Sequence, residues 1–263
     1  SHYNSPPMRE VAIIGAGELG GALAHVLARR NVVGTIRLID EKGPVAEGKA
    51  LDIAQAAPVE GFAVNLSGST DIMAAAGASV IVVADRAGET EWQGEDGLVL
   101  LRRLTHFAAG SVIVCAGAMQ REIIERGVRE LHIPRARILG SAPEALAAGA
   151  RALVALELNA SPSDVARSVV GVPPGHIVVS WEDATLCGMA LTRMCDEPAR
   201  RRLRARIAAL WPPGPFALGA AAAKVIEALC GGSRRLACCF VAPDDSIGIR
   251  TRAAALPVRL GAG

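Results

Sequence analysis

The sequence predicts an α/β protein: a doubly wound parallel sheet over residues 8–140, followed by a second, α+β domain over residues 141–263. Two observations predict this fold class. Through the first half, short apolar runs alternate with helical stretches, as expected when helices connect parallel strands and cover both faces of the sheet. After residue 140 this alternation stops, and long helical stretches are followed by short strand-like runs.

The first domain opens with a β-α-β unit. An apolar run at 11–14 is typical of a short strand buried on both faces, and a helical stretch at 19–30 leads to a second apolar run at 36–40. The same alternation predicts the other elements of this domain: helices at 48–57, 98–107 and 120–131, and strands at 62–66, 80–84, 112–116 and 137–139.

The second domain is expected to begin with a long helix at 143–158, after which Ser161-Pro-Ser-Asp164 is typical of a turn or a helix start. The further elements are predicted as strands at 168–171 and 177–180, helices at 197–210 and 216–229, and strands at 236–242, 246–249 and 256–258. The arginine-rich run at 200–206 has helical spacing, so we expect a solvated helix face there and not a binding patch.

Composition argues against several classes of function. The formal net charge is +2, which is too balanced to indicate a nucleic-acid or membrane-surface protein, and no apolar run reaches membrane-spanning length. The six cysteines form no Cys-x-x-Cys pair, no metal site is indicated, and Cys187 and Cys195 are expected in the core. With no signal peptide evident, we expect a cytoplasmic protein.

The glycines after the first predicted strand form a dinucleotide-binding motif. Gly15-Ala-Gly17-Glu-Leu-Gly20 fits G-x-G-x-x-G between a strand and a helix, where the glycines permit a tight turn, close approach of a pyrophosphate and close packing of the helix. Asp40 ends the second strand, where a carboxylate accepts hydrogen bonds from the adenosine ribose and favours NAD over NADP. The cofactor-binding residues predicted from this motif are Gly15, Gly17, Glu18, Leu19, Gly20 and Asp40.

Two longer segments resemble a known family. They are Val11-Ala-Ile-Ile-Gly-Ala-Gly-Glu-Leu-Gly20 and Gly48-Lys-Ala-Leu-Asp-Ile-Ala-Gln-Ala-Ala-Pro58, and both are similar to bacterial malate dehydrogenases of the lactate-dehydrogenase-like type. Weaker similarity at 137–140, 157–159 and 257–261 extends the resemblance across nearly the whole chain. The resemblance implies the fold of an NAD-dependent oxidoreductase, and it implies that the chain assembles as a homo-oligomer. It also implies a shortened active-site loop, a shortened region near 195–212 and a missing C-terminal helix.

The resemblance further implies that the family's catalytic residues are absent. In that family an Asp–His pair moves a proton while the nicotinamide exchanges a hydride, and arginines bind the substrate carboxylates. The six positions expected for the His, Asp, helix Arg, Asn and two loop Arg residues carry Pro173, Leu146, Gly149, Ala118, Glu89 and Glu95. The family's Thr-Ala-Gly under the nicotinamide reads Ala84-Asp85-Arg86, and Ala84 is the residue expected to contact the cofactor there.

Other residues are weaker candidates for the missing roles. His176 lies near Glu182 and Asp183 in sequence, but the stiff turn at Pro173-Pro174 favours a structural or surface histidine. Arg151 lies two residues beyond Gly149, about 200° around a helix, so it should point elsewhere. The acidic residues at 89–96 are expected to repel a dicarboxylate.

Three functions therefore stay open at this point. The first is an NAD(H)-binding relative of malate dehydrogenase that has lost the ordinary activity and acts as a ligand sensor or partner subunit, with no catalytic residue assigned. The second is a divergent NAD-dependent oxidoreductase acting on a substrate that is not a dicarboxylate. The third is a structural domain with an empty cofactor cleft, in which the glycines are kept for packing.

Overall fold

The computed structural model describes residues 9–166, 169–232, 236–242 and 253–261. The first half alternates strands and helices as β1 (Glu10–Ile14), α1 (Glu18–Arg30), β2 (Thr35–Ile39), α2 (Gly43–Glu60), β3 (Asn65–Ser69), β4 (Val80–Val83), α3 (Gly94–Phe107), β5 (Val112–Cys115), α4 (Arg121–Glu130) and β6 (Ile138–Gly140). Short 3₁₀ turns at Ile72–Ala75 and Arg135–Arg137 precede β4 and β6.

The second half contains more short elements than the sequence predicted. They are α5 (Ala142–Glu157), β7 (Val165–Ala166), β8 (Val169–Val172), β9 (His176–Val179), β10 (Thr185–Leu186), β11 (Met189–Ala190), α6 (Leu191–Met194), α7 (Glu197–Ala208), α8 (Pro215–Gly231), β12 (Leu236–Val241) and β13 (Ala254–Arg259). The strand predicted at 246–249 lies outside the described residues.

The sheet confirms the predicted α/β fold class. Six parallel strands run in the order β3-β2-β1-β4-β5-β6, which is the order of a Rossmann-type sheet. The same sheet continues through the antiparallel strands β12-β13-β8-β9, so hydrogen bonding across the sheet does not stop at residue 140. β7, β10 and β11 form a separate three-stranded sheet.

Apolar strands and helix faces form two buried clusters. β4 is buried at every residue because helices cover both faces of a parallel sheet, and α1 buries Leu19, Leu23 and Leu27 at intervals of one turn. The second cluster lies between α5 and α7 and includes Trp181. None of the helices that the structure describes is long and apolar enough to cross a membrane.

Several boundaries differ from the sequence prediction. α2 begins at Gly43, five residues earlier than expected, because Pro44 occupies the first turn, where a missing N–H costs no hydrogen bond. β3 begins only at Asn65, although Phe62 and Val64 are buried, because the apolar residues pack before the chain pairs with β2.

The prediction that Cys187 is a core residue is wrong. Cys187 and Gly188 form the two-residue turn between β10 and β11, and their φ angles are 49° and 80°. Positive φ at both central residues is typical of a type I′ hairpin turn, which places the Cys187 side chain in solvent. Cys195 is buried as predicted.

The arginine-rich segment lies on α7 and is solvated, as predicted. Arg201, Arg202, Arg204 and Arg206 are exposed, while Leu203 on the opposite face is buried. Three of these arginines pair with acidic neighbours: Arg204 with Glu197 at 3.1 Å, and Arg202 and Arg206 with Glu157 at 2.9 and 3.9 Å.

Asp196 caps the N-terminus of α7 and supplies a first prediction. Its Oδ1 accepts a hydrogen bond of 2.8 Å from the amide of Ala199. We expect Asp196→Ala to lower the free energy of unfolding by about 1 kcal/mol, measured by urea denaturation, because an amide of the first turn loses its acceptor. Asp196→Asn keeps a good capping side chain and should stay within a few tenths of a kcal/mol of the native chain. Equal losses in the two variants would contradict this role.

Candidate functional site

The glycine turn between β1 and α1 lies at the carboxyl end of the parallel strands. Strand order reverses between β1 and its neighbour β4, and this is where open α/β sheets form their ligand crevice. A Cβ on Gly20 would overlap the carbonyl oxygen of Gly15, so glycine is required for α1 to pack this close to the turn. The α1 N-terminus is thereby held at the crevice.

Asp40 joins this turn to the loop that follows β4. Its Oδ2 accepts hydrogen bonds from the amides of Ala16 and Ala87 at 2.8 and 2.9 Å, and its Oδ1 accepts one from the amide of Lys42 at 2.9 Å. The side chain is only 6% exposed. A carboxylate offers about four acceptor positions, so Asp40 keeps capacity for a ribose hydroxyl. Sequence reasoning predicted the ribose contact but not this bracing role.

The side chain of Asp85, directly after β4, binds the N-terminus of α1. Its Oδ2 accepts from the amide of Leu19 at 3.1 Å and its Oδ1 from the amide of Gly20 at 2.9 Å. The space that a Cβ on Gly17 would fill holds this carboxylate. A helix N-terminus favours negative charge, so the arrangement is electrostatically stable.

Two lysines and the loop after β4 surround a cleft of about 450 Å³ beside this contact. The Nζ of Lys42 donates to the carbonyl of Ala87 at 2.7 Å, and the Nζ of Lys49 donates to the carbonyl of Gly17. The cleft is lined by Ala16, Gly17, Glu18, Lys42, Val45, Lys49 and residues 85–89. Both lysines are placed to attract an anionic ligand, whereas Asp85 has the opposite charge.

Glu91 fixes the far end of the same loop. Its two carboxylate oxygens accept from the amides of Ala118 and Met119 at 3.0 and 2.8 Å, and Asp85 pairs with Glu91 in an antiparallel bridge. Burial raises the pKa of Glu91 above its ordinary value, and the charge of Asp85 adds to the rise, although the two amide hydrogen bonds oppose it.

The carboxylates at 89–96 form ion pairs that the sequence did not predict. Glu89 pairs with Arg86 at 3.1 Å, Asp96 lies 3.7 Å from the same guanidinium, and Glu95 pairs with Arg126 at 2.7 Å. The predicted repulsion of a dicarboxylate assumed unpaired carboxylates, and these ion pairs reduce that repulsion. Arg86 also stacks over the ring of Trp92, with 4.7 Å from Cζ to the ring centroid.

Comparison with known proteins identifies the relatives of this architecture. Residues 9–108 match the family model described as lactate/malate dehydrogenase, NAD binding domain. The malate dehydrogenase of Thermomicrobium roseum is 29% identical over 272 residues, which cover 97% of this chain and 88% of the relative. The malate dehydrogenase of Desulforudis audaxviator is 28% identical over 273 residues, with the same coverage. Residues 9–108 thus resemble the NAD-binding domain of lactate and malate dehydrogenases, and nearly the whole chain is similar to malate dehydrogenases.

Solved structures of malate and lactate dehydrogenases share the fold of this chain. The malate dehydrogenase from Salinibacter ruber has a TM-score of 0.87 at 23% identity, covering 96% of this chain and 86% of that one. The lactate dehydrogenase from Cryptosporidium parvum, solved with lactic acid and b-nicotinamide adenine dinucleotide, has a TM-score of 0.86 at 18% identity, covering 98% and 88%. NAD is the cofactor of the N-terminal domain that the family model describes.

The residues around this cleft fit some parts of NAD but not its phosphates. Gly17, Asp40 and the cleft lysines suit a dinucleotide, but the amides of Leu19 and Gly20 already bind Asp85. With the Asp85 side chain in this position, phosphates do not fit the α1 N-terminus. The departure from the family's Thr-Ala-Gly at 84–86 was visible in the sequence, but its geometric consequence was not. No group of three or more metal-binding side chains occurs among the residues whose placement is described.

Ala84 lies beneath the glycine turn and is fully buried. Its carbonyl accepts from the Nε2 of Gln120 at 3.1 Å, while the Oε1 of Gln120 accepts from the amide of Gly117 at 3.0 Å. Gln120 therefore ties the end of β4 to the end of β5. The sequence did not single out this buried glutamine.

Apolar packing occupies the two positions on α5 where the resemblance led us to expect the helix Asp and Arg of malate dehydrogenases. Leu146 is fully buried in the second apolar cluster, and a Cβ on Gly149 would lie 2.7 Å from Cδ1 of Leu210. Pro173 and Ala118 are buried as well.

The candidate replacement residues are engaged elsewhere or exposed. His176 is exposed at the first residue of β9, as predicted for a surface histidine, and Asp183 accepts a hydrogen bond of 2.6 Å from Ser180. Arg151 donates to Glu144 at 3.0 Å.

Proposed function

We propose that this chain is a member of the lactate/malate dehydrogenase family that binds NAD(H) but has lost the ordinary dehydrogenase activity, and that it acts as a ligand sensor or partner subunit. The observation that carries the proposal is the packing at Leu146 and Gly149, where Leu210 fills the space beside the position expected for a substrate arginine. A charged guanidinium cannot replace this packing without losing apolar contacts and burying its charge.

In this proposal, different residues of the chain bind different parts of the cofactor. At the turn from Gly15 to Gly20, Glu18 and Leu19 would hold the phosphates once the Asp85 side chain has left the α1 amides, and Ala84 lies buried beneath the turn. Asp40 would accept hydrogen bonds from the ribose hydroxyls and would repel a 2′-phosphate. NAD, when bound, would supply hydride chemistry.

We also propose a cofactor-binding domain at 8–140, a second domain at 141–263, a cytoplasmic location and assembly as a homo-oligomer. Phe216, which is 81% exposed at the start of α8, and the exposed apolar residues Leu51 and Val59 on α2 support self-association. Light scattering of the full chain tests the oligomer.

A second candidate function is an NAD-dependent oxidoreductase acting on a substrate that is not a dicarboxylate. Glu91 favours it, because a half-buried carboxyl with a raised pKa beside a cofactor cleft is a candidate proton carrier. A panel of neutral and cationic alcohols and carbonyl compounds, assayed with the native chain and Glu91→Gln, separates the two functions. Turnover that Glu91→Gln abolishes would favour the second.

Cofactor binding is tested by titrating the full chain with NADH and following nicotinamide fluorescence, with NAD and NADPH as comparisons. We expect saturable NADH binding that Asp40→Ala weakens about tenfold or more, because a hydrogen bond to a charged carboxylate is lost. The variant should also narrow the preference for NADH over NADPH, which a merely structural role of Asp40 would not change.

The matched control is Asp52→Ala, an exposed carboxylate on α2 that does not line the Asp85 cleft, and it should leave both affinities within twofold. An absence of saturable binding at millimolar NADH would overturn the proposal.

A further inference from the structure

The α1 N-terminus already holds an anion that the chain itself supplies. α1 is a helix of 13 residues, and the first amides that point into the crevice donate to the carboxylate of Asp85 at 3.1 and 2.9 Å. Each amide has one hydrogen to donate. A phosphate can therefore take these two donors only if the Asp85 side chain leaves them.

The backbone around Asp85 is held from both sides. Its carbonyl accepts a hydrogen bond of 2.9 Å from the amide of Gly17, and the next residues are fixed through Ala87, whose amide donates to Asp40. Farther along the loop, Glu91 binds the amides after β5. Displacement of the carboxylate by a ligand therefore requires rotation of the Asp85 side chain before any movement of the loop.

The charges around the cleft indicate which ligand could displace Asp85. Lys42 and Lys49 line the same cleft, so a polyanion gains two cationic neighbours that partly offset the loss of the internal carboxylate. A ligand with one weak charge gains less. A second negative charge placed close to Asp85 without displacing it would be repelled.

We propose that Asp85 is an internal competitor for the dinucleotide phosphates, which sets the affinity of this chain for NAD(H) by occupying the α1 N-terminus. The inference deepens the proposed function and rests on it for the identity of the ligand. Ligand binding is coupled to release of the Asp85 side chain from the α1 amides. The native chain therefore binds NAD(H) more weakly than the glycine turn would bind it without Asp85, and the difference in binding free energy is the cost of that release.

The test compares NADH binding by the native chain, Asp85→Ala and Asp85→Asn, using nicotinamide fluorescence. We expect Asp85→Ala to bind NADH about tenfold more tightly, because the ligand no longer displaces a charge-assisted contact. Asp85→Asn keeps a neutral acceptor and should fall between the two. Thermal unfolding of each variant checks that the fold persists.

The matched control is Asp96→Asn, which removes one negative charge from the same region but neither lines the cleft nor contacts the α1 amides. It should change NADH affinity less than twofold. An increase in this control equal to that of Asp85→Ala would overturn the competitor role and assign the effect to general loop charge.

A second probe separates this inference from the proposed function. Inorganic pyrophosphate is titrated calorimetrically into the native chain and Asp85→Ala. Tighter pyrophosphate binding by Asp85→Ala without NADH binding supports the competitor and overturns the proposed function. NADH binding that Asp85→Ala leaves unchanged or weakens overturns the competitor alone. If neither probe binds any variant, both proposals are wrong.

Discussion

We expect this chain to reduce oxaloacetate with NADH at least about 10⁴-fold less efficiently, in kcat/KM, than the malate dehydrogenase of Thermomicrobium roseum assayed alongside it. Loss of the proton-transferring group alone costs about 10²–10⁴ in rate. Each missing charge-assisted contact to a substrate carboxylate costs about a further 1.5–3 kcal/mol. Under the proposed function, Pro173, Leu146 and Gly149 stand at the positions expected for these groups, and their side chains can provide neither function.

The assay follows NADH consumption by the full chain, with pyruvate as a second substrate. NADH binding by the same preparation shows that the measured deficit does not arise from unfolded protein. A kcat/KM within tenfold of the T. roseum relative would contradict the account, since it would require that other residues perform the family reaction.

The second large effect is expected on stability. We expect Glu144→Ala to lower the free energy of unfolding by about 3 kcal/mol, measured by urea denaturation at neutral pH. Glu144 is 2% exposed at the start of α5. Its Oε1 accepts from Lys224 on α8 at 2.6 Å and from Arg151 at 3.0 Å, and its Oε2 accepts from the amide of Cys238 on β12 at 2.9 Å.

The Glu144 carboxylate thus connects α5, α8 and β12. Its removal leaves Lys224 and Arg151 without this anionic partner and the buried amide of Cys238 without this acceptor. Glu157→Ala is the matched control because Glu157 lies on the same helix and also pairs with arginines, at 2.9 Å from Arg202 and 3.9 Å from Arg206. These pairs are largely solvated, so the control should lose less than about 1 kcal/mol. Equal losses in the two variants would show that burial at Glu144 adds nothing.

The stability supplied by Glu144 should also depend on pH. Burial alone would raise the pKa of Glu144, but the hydrogen bonds from Lys224 and Cys238 and the charges of Lys224 and Arg151 together lower it. A lowered pKa in the folded state means that the stabilisation is present above the unfolded pKa and is lost as pH falls through the folded value. The difference between the native chain and Glu144→Ala should therefore shrink below about pH 4.3.

Local sequence pattern was sufficient for the parallel sheet. Every strand of this sheet except β3 needs only a short, mostly apolar run between helices, and that pattern follows from burial on both faces. β3 (Asn-Leu-Ser-Gly-Ser) has no buried residue, and the sequence placed it three residues too early. The pairings of β12 with β6 and of β13 with β8 join strands far apart in the chain. No local pattern specifies such partners, so the continuous ten-stranded sheet could not be predicted.

The glycine turn shows the same limit within the site. The G-x-G-x-x-G spacing and Asp40 predicted where a dinucleotide should bind, because backbone geometry at that turn depends on glycine. Which anion occupies the turn depends on the direction of one loop side chain, Asp85. That direction follows from contacts with Leu19 and Gly20, more than 60 positions away in the sequence.

The central claim, that the chain binds NADH without transferring its hydride in the family reaction, is tested most directly by a single-turnover experiment. The full chain is loaded with NADH at a protein concentration that the titration shows to bind most of the cofactor. It is then mixed with oxaloacetate while nicotinamide absorbance is followed. We expect the absorbance to persist long after the T. roseum relative has completed a turnover. Decay of the bound NADH at a rate similar to that of the relative would contradict the account.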